Sequence, residues 1–228
     1  MHKQLSHIDT WLFDLDNTLY PAESNLFDLV DARMRLYLEQ LLKCDAAAAH
    51  KVQKDYFYRY GTTVAGLMAN HNINPHEFLD FVHDIALDRI APNPDLKALV
   101  AALPGRKLVY TNGDAPYAQR VLNALGLGDS FEGIFDVIAG GMVPKPADSS
   151  YRMLCEAHNI TPTSAFFADD MARNLRPAKS MGMTTLWINN GSEQAAAEAE
   201  ARSDLDHVDH TAACLTTWLH TINEQELV

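Results

Sequence analysis

The sequence has no hydrophobic run close to the ~20 residues that a membrane-spanning helix needs. Its three cysteines, Cys44, Cys155 and Cys214, lie far apart and form no C-x-x-C pair. This spacing disfavours a disulfide framework and favours reduced, buried thiols in a cytoplasmic protein. Because Met1 to Gln4 lead directly into an apolar segment, we expect no signal peptide.

Positive charge is scarce, with 18 Lys and Arg against 30 Asp and Glu and a net charge of -12. Proteins that bind nucleic acid rely on clustered basic residues, so this balance argues against such a partner. A small phosphorylated substrate remains compatible, because a bound cation reverses the local field. The chain also lacks a G-x-S-x-G elbow, a Walker A loop and a G-x-G-x-x-G fingerprint, which disfavours three other common enzyme classes.

The remaining composition is that of a globular α/β protein. With 228 residues, 47% hydrophobic and 21% charged, the chain can build one core and a smaller appended domain. Short apolar runs separated by helical patterns predict a Rossmann-like parallel sheet. The predicted strands are Ile8 to Phe13, Lys107 to Thr111, Ile134 to Ala139, Ala165 to Ala168, Thr184 to Ile188 and a weaker Asp206 to Val208. A final helix is predicted from Thr211 to Ile222, and an exposed alanine-rich helix from Gln194 to Ala201.

The long segment between the first two strands has helical and not strand character. Apolar residues recur at helical spacing from Leu26 to Leu41, and further helices are predicted at Val52 to Tyr60 and Pro75 to Leu87. We therefore expect an α/β core domain of residues 1–20 and 93–228, and a small helical cap domain of residues 21–92. Because this insert leaves the sheet at the end of the first strand, it is expected to form a lid over that end, with Pro92 to Pro94 as the return hinge.

The first predicted strand ends in two carboxylates, Asp14 and Asp16, followed by Thr18. Residues i and i+2 of a strand point to the same side, so the two carboxylates face each other and repel unless a cation or shared proton intervenes. Oxygen ligands of this kind suit Mg²⁺. Considered alone, the triplet is more typical of an acidic turn after a strand.

Three further predicted strands also end in polar residues. They are followed by Thr111-Asn112-Gly113, by Lys145 between two prolines, and by Asp169-Asp170. Each of these alone is compatible with an ordinary turn, a solvated lysine or a helix N-cap. In parallel sheets, however, sites form beyond the carboxyl ends of the strands, so together they predict a metal site next to a hydroxyl and a positive charge.

This order of residues resembles the haloacid dehalogenase-like superfamily, whose four motifs are D-x-D-x-T, a Ser or Thr, a Lys and an acidic cluster. Within it, the segments Asp14 to Pro21, Tyr60 to Leu67 and Val82 to Asp84 resemble the pyrimidine 5'-nucleotidase-like branch. The resemblance implies a helical cap of the C1 type, inserted after the first strand. One departure is Asn174, which stands where many relatives carry an Asp.

The resemblance also implies a role for each matching residue. Asp14 is the expected nucleophile and Asp16 the acid and base. The phosphoryl oxygens are expected to be stabilised by Thr111, Asn112 and Lys145. Mg²⁺ is expected on Asp14, on the Asp16 carbonyl and on Asp170, with Asp169 assisting. The expected substrate-binding residues of the core are Thr18, Asn112 and Gly113. The lid residues Tyr60, Thr62, Thr63, His83 and Asp84 are expected to help select the leaving group, with ordinary helix packing and solvated polar faces as the alternative for each.

The predicted function is a Mg²⁺-dependent phosphomonoester hydrolase that works through an aspartyl-phosphate, with a pyrimidine nucleoside 5'-monophosphate as substrate. Alternatives within the same fold are a broad-specificity sugar or metabolite phosphatase, a hexose-phosphate mutase, a phosphonate hydrolase and a dehalogenase. A dehalogenase has no need of Asp16, because halide leaves without a proton. A non-catalytic binding module is the remaining alternative. We expect no nucleic acid or membrane as partner, and the sequence leaves the oligomeric state open.

Overall fold

The computed structural model describes residues 5–191 and 205–224, and these contain a six-stranded parallel sheet. The strands are β1 (Thr10–Phe13), β2 (Arg106–Tyr110), β3 (Gly133–Phe135), β4 (Ala165–Asp169), β5 (Thr184–Ile188) and β6 (His210–Ala212). Their order in the sheet is β3-β2-β1-β4-β5-β6. The Rossmann-like α/β class expected from the sequence is therefore confirmed. The helix predicted from Gln194 to Ala201 lies outside the described residues.

Among the described residues, the first four α-helices form the insert that follows β1, and the other five flank the sheet. The first group is α1 (Leu26–Leu42), α2 (Ala46–Tyr60), α3 (Thr63–His71) and α4 (Pro75–His83). The second group is α5 (Pro94–Ala102), which precedes β2, α6 (Ala115–Ala124), α7 (Asp148–His158), α8 (Ala172–Ser180) and α9 (Leu215–Glu224). No helix within the described ranges combines the length and the hydropathy required to cross a bilayer.

The position of β1 at the centre of the sheet brings the chemically active strand ends together. Phe13 pairs with Val109 of β2 on one side and with Ala168 of β4 on the other. From β1 the chain adds β2 and β3 on one side of the sheet and β4, β5 and β6 on the other. Such a switch point in strand order opens a crevice at the carboxyl ends of the strands. Asp14 extends the pairing by donating its N–H to the Ala168 carbonyl at 2.9 Å.

The sheet is held by apolar layers on both faces. Trp11, Phe13 and Phe166 belong to one buried cluster, and Leu12 and Phe167 belong to the other. Successive strand residues point to opposite faces of the sheet. Because both faces are covered, residues on each face are apolar and the strands read as short continuous apolar runs.

The helical insert is built from well-defined N-caps. Asp45, Thr62 and Asn74 each accept a backbone N–H from the first turn of the helix that follows. Such caps satisfy amide groups that a helix start leaves without partners. The insert meets the core at Gly61, whose φ is +86° and where a Cβ would lie 3.2 Å from the Lys145 carbonyl oxygen. Only glycine fits this contact without strain.

Several predicted boundaries were wrong within the helical insert. The predicted helix Pro75 to Leu87 ends at His83, because the chain turns there and Ile85 donates its N–H to the His83 carbonyl. The helix predicted from Val52 begins already at Ala46, after the Asp45 cap. A helix that was not predicted spans Thr63–His71, and it begins after the Thr62 cap.

The later boundaries also differ from the prediction. The strand predicted for Ile134 to Ala139 ends at Phe135, because the Asp136 carboxylate accepts the Ala115 and Ala139 N–H groups and turns the chain. The strand predicted at Asp206 to Val208 lies instead at His210–Ala212. It follows a turn in which the Val208 N–H donates to the Leu205 carbonyl. The last helix accordingly begins at Leu215 and not at Thr211.

The prediction that all three thiols are buried was wrong for two of them. Cys155 is buried, Cys44 is half-buried and Cys214 is exposed, and all three are free. An exposed thiol at Cys214 follows from its place in the loop before α9.

Candidate active site

A cavity of about 140 Å³ lies between the carboxyl ends of the strands and the helical insert. The predicted site residues that line it are Asp14, Asp16, Thr62, Thr63, His83, Thr111, Asn112, Gly113, Lys145 and Asp170. Thr18, Tyr60, Asp84 and Asp169 do not line it. The structure therefore brings most of the residues predicted from both the core and the lid to one cavity.

Lys145 lies at the centre of the site and is almost completely buried. Its Nζ donates to Asp14 Oδ1 at 2.7 Å, to Asp169 Oδ2 at 2.7 Å and to the Tyr110 carbonyl at 2.9 Å. These three bonds use all three N–H groups of the ammonium. Burial alone lowers the pKa of Lys145, but the charges of Asp14 and Asp169 raise it above its usual value. Lys145 is therefore a fixed positive charge next to Asp14.

The carboxylates outnumber this single ammonium. Burial raises the pKa of Asp14 to about 7, since burial and the charges of Asp169 and Asp16 outweigh the lowering effect of Lys145. Burial, followed by the charges of Asp169 and Asp14, raises the pKa of Asp170 well above its usual range. A further positive charge at this place would let these carboxylates ionise at neutral pH.

The donor set fits Mg²⁺. Oxygen atoms of Asp14, Asp169 and Asp170 all lie within 4.8 Å of one another and are buried. Asn174 also lines the cavity, and its Oδ1 atom is buried and has no hydrogen-bond partner within the residues that the structure describes. Hard cations prefer oxygen ligands, so the cluster offers three carboxylates and a neutral oxygen for a metal or its bound water.

The two neighbouring acids differ in how their oxygens are occupied. The Asp169 carboxylate accepts hydrogen bonds from Lys145 Nζ and, at 2.8 Å, from the Met171 N–H. Asn174 Nδ2 donates to both carboxylate oxygens, at 2.9 and 3.1 Å. Asp170 lines the cavity, and within the described part of the chain its main-chain oxygen accepts from Trp187 Nε1. Because three donors already occupy the Asp169 oxygens, we propose that Asp170 binds a cation directly while Asp169 orients Lys145.

We expect Asp170→Asn to weaken Mg²⁺ binding by at least about tenfold, because it removes one of few charged ligands. The measurement is the rise in melting temperature of the protein on titration with MgCl₂, compared between the wild type and the variant. Asp129→Asn, a change of equal charge at an exposed carboxylate paired with Lys97, is the control and should titrate like the wild type. Identical Mg²⁺ midpoints for all three proteins would contradict the assignment.

Asp16 is held by two tyrosines that the sequence analysis did not identify. Its Oδ1 accepts the Tyr20 hydroxyl at 2.6 Å and the Tyr117 hydroxyl at 2.8 Å. Burial raises the pKa of Asp16 despite these bonds. With Oδ1 fixed as an acceptor, the other carboxyl oxygen is left to exchange a proton within the cavity. Tyr20, four residues after Asp16, lies in a recognisable segment, but nothing in the sequence connects Tyr117 with Asp16.

His83 joins the insert to this tyrosine. Its ring stacks on Tyr117, with centroids 4.2 Å apart and planes 8° apart. Its Nδ1 lies 3.2 Å from Asp114 Oδ1, in an orientation that does not form a hydrogen bond, and Arg120 donates to its carbonyl. His83 therefore lines the cavity while anchoring the end of α4 to α6.

The segment after β2 supports both the anion site and the lysine loop. The Thr111 oxygen accepts the Gly113 N–H at 3.0 Å, so its hydroxyl hydrogen remains available to a substrate oxygen. The Asn112 side chain instead bonds the Lys145 main chain on both sides, at 2.8 Å to the N–H and 3.2 Å to the carbonyl. Asn112 thus positions Lys145.

The remaining predicted residues lie away from the cavity. Thr18 is buried with an unpartnered hydroxyl, and the Tyr60 hydroxyl accepts from Asn70. Asp84 is 81% exposed and pairs with Arg33. Asn174, in contrast, lines the cavity, and its amide donates to Asp169.

A family model for haloacid dehalogenase-like hydrolases matches residues 8–182 of this chain. Phosphate metabolism protein 8 of Saccharomyces cerevisiae is 28% identical over 189 residues, which cover 76% of this chain and 59% of that protein. The (S)-2-haloacid dehalogenase of Xanthobacter autotrophicus is 29% identical over 113 residues, or 49% of this chain and 44% of the enzyme. The chain matches less than two thirds of the length of either relative.

Two solved structures share the fold over nearly the whole chain. The L-2-haloacid dehalogenase from Xanthobacter autotrophicus with chloropropionic acid covalently bound has a TM-score of 0.58 at 20% identity, covering 95% of this chain and 98% of that one. A HAD phosphatase from Thermococcus onnurineus has a TM-score of 0.60 at 18% identity, with coverages of 95% and 97%. At these identities the likeness shows the common fold.

Proposed function

This chain belongs to the haloacid dehalogenase-like hydrolases, and within that family we propose that it hydrolyses phosphate monoesters with Asp14 as the nucleophile. The observation that carries the proposal is the Asp16 carboxyl, held by two tyrosine hydroxyls at the same cavity, with its pKa raised by burial. An alkoxide leaving group needs a proton, whereas a halide does not. A buried acid kept next to the nucleophile thus favours phosphate ester over haloacid as substrate.

In the first step, a carboxylate oxygen of Asp14 forms a bond to phosphorus while the bond from phosphorus to the ester oxygen breaks. Asp16 gives its proton to that departing oxygen. Lys145 and the Thr111 hydroxyl stabilise the negative charge on the phosphoryl oxygens. Bound Mg²⁺ would supply the positive charge that offsets repulsion between the carboxylates and the phosphate.

In the second step, the ionised Asp16 accepts a proton from a water molecule that attacks phosphorus. The bond between phosphorus and the Asp14 oxygen breaks, which frees inorganic phosphate and restores both carboxyl groups. Asp16 thus serves as an acid in the first step and as a base in the second. It can accept the proton of the water because it has just lost its own to the leaving group.

We expect Asp16→Asn to slow hydrolysis of phenyl phosphate by about 10²- to 10⁴-fold, because its leaving group requires a proton. The leaving group of p-nitrophenyl phosphate is stable as an anion. The fold-loss in kcat/KM for this ester should therefore be at least about tenfold smaller than the fold-loss for phenyl phosphate. The measurement is kcat/KM for both esters. Equal losses would count against the acid role, and release of chloride from 2-chloropropionate at a comparable rate would favour a dehalogenase.

For the finer assignment, we propose a pyrimidine nucleoside 5'-monophosphate as substrate. The cavity of about 140 Å³ is similar to the engineered ~150 Å³ cavity that accepts benzene, so it suits a single ring better than a fused one. A whole nucleotide then requires the insert to move outward as it enters.

Phosphate release from nucleotides and sugar phosphates tests this assignment. We expect UMP and CMP to exceed AMP and GMP in kcat/KM by at least about tenfold, as is usual when a pocket excludes a larger group. A flat profile would instead favour a broad metabolite phosphatase. Transfer of phosphate to a second sugar hydroxyl would favour a mutase.

A further inference from the structure

The part of the cavity that the insert lines is mostly apolar. The apolar residues there are Phe27, Met34, Phe57, Val64, Phe78, Leu79 and Val82. The insert also contributes polar residues to this wall, among them Asp31, Lys54 and Gln53. The neutral amide of Gln53, on α2, belongs to a residue that is only 2% exposed. A buried amide that lies beside these apolar side chains needs a hydrogen-bond partner for each of its polar atoms.

The orientation of the Gln53 amide is fixed by its neighbour on α1. The Nε2 atom donates to Asp31 Oδ1 at 2.8 Å and lies 3.4 Å from the Asp31 carbonyl oxygen. Turning the amide around would place Gln53 Oε1 against two acceptors. Because a carboxylate accepts and does not donate, the amide nitrogen must face Asp31.

This orientation leaves Gln53 Oε1 as an unused acceptor. The atom is buried and has no hydrogen-bond partner among residues 5–191 and 205–224. Leaving such an acceptor unpaired lowers stability, and a partner entering the cavity would recover the lost interaction. A ligand that places an N–H or O–H group here gains a bond, whereas an apolar or acceptor group does not.

We propose that Gln53 selects substrates whose leaving group is compact and apolar and presents a hydrogen-bond donor to its Oε1. This inference rests on the proposed phosphomonoesterase function and specifies the substrate class at that site. Asp31 acts as a positioning residue, because it holds the amide with the oxygen free. A pyrimidine base, which carries an N–H or an amino group on a single ring, belongs to this class.

Two pairs of aryl phosphates test the proposal without assuming a natural substrate. One pair is 4-aminophenyl and 4-methylphenyl phosphate, and the longer pair is 4-(hydroxymethyl)phenyl and 4-ethylphenyl phosphate. Each pair differs by a donor against a methyl group of similar size, with similar leaving groups. We expect wild-type kcat/KM to favour the donor in at least one pair by about 3- to 10-fold, the worth of one neutral hydrogen bond.

In Gln53→Met, which keeps the length of the side chain but removes the amide, that preference should fall to less than about twofold, since no bond remains to be made. Leu79→Met, a volume-conserving change of an apolar wall residue, is the control and should keep the wild-type preference. Retained preference in Gln53→Met would assign the selection to another residue and overturn the proposal.

The wild-type ratios decide the matter even if Gln53→Met fails to fold. Absence of a donor preference in both pairs, with phosphate released from all four esters, would overturn the role of Gln53 and leave the phosphatase function intact. If none of the esters releases phosphate, the proposed function fails and this inference with it.

Discussion

Asp14→Asn is expected to reduce hydrolysis of p-nitrophenyl phosphate by at least about 10⁴-fold, the scale seen when a nucleophile is removed. The amide has the same shape as the carboxylate, but it is a far weaker nucleophile. The steady-state rate of p-nitrophenol release at saturating Mg²⁺ measures the effect. Full activity in this variant would reject Asp14 as the nucleophile.

The same variant should not lose stability. Asp14 is one of several carboxylates that share a single buried ammonium, and Lys145 retains its bonds to Asp169 and Tyr110. Removing one of several like charges relieves repulsion. An unchanged or raised melting temperature would therefore separate lost chemistry from lost folding, and Asp129→Asn serves as the surface control.

Lys145→Met is expected to affect both folding and activity. It leaves Asp14 and Asp169 without the cation that compensates them, and breaking a buried ion pair in this way costs about 3–5 kcal/mol. For a chain of this size that loss lowers the melting temperature by roughly 6–20 °C. Loss of the positive charge at the phosphoryl oxygens should also lower kcat by at least about 10²-fold.

The double variant Lys145→Met with Asp169→Asn separates the two effects. It removes one buried negative charge together with the positive one, so it should recover most of the stability in urea unfolding and none of the activity. Equal destabilisation of the single and double variants would contradict the account of Lys145 as the compensating charge.

The core of the site was predictable because it depends on one rule about parallel strands. Asp14, Thr111 and Asp169 lie at or just beyond strand ends, and strand register alone brings such ends to one edge. Lys145 follows a shorter strand than predicted, yet the loop after β3 still delivers it to Asp14.

The supporting contacts were not predictable, since they depend on how separate elements pack. Tyr117 and Asp16 are 101 residues apart, and only the placement of α6 brings them together. Gln53 had a faint signal as a polar residue on the buried face of α2, but its orientation depends on Asp31 of another helix. Tyr60 was expected in the site from its segment, yet it lies outside the cavity because α2 presents it to Asn70.

The central claim is that Asp14 becomes covalently phosphorylated, and acid quenching during turnover followed by borohydride reduction tests it most directly. Reduction of an acyl phosphate at Asp14 converts that aspartate to homoserine, which peptide mass spectrometry locates by its mass. We predict homoserine at position 14 in the wild type treated with p-nitrophenyl phosphate and Mg²⁺, in increased yield in Asp16→Asn, where the second step is slowed. An unmodified Asp14 in a protein that is turning over substrate, or homoserine at position 16, 169 or 170 instead, would contradict the account.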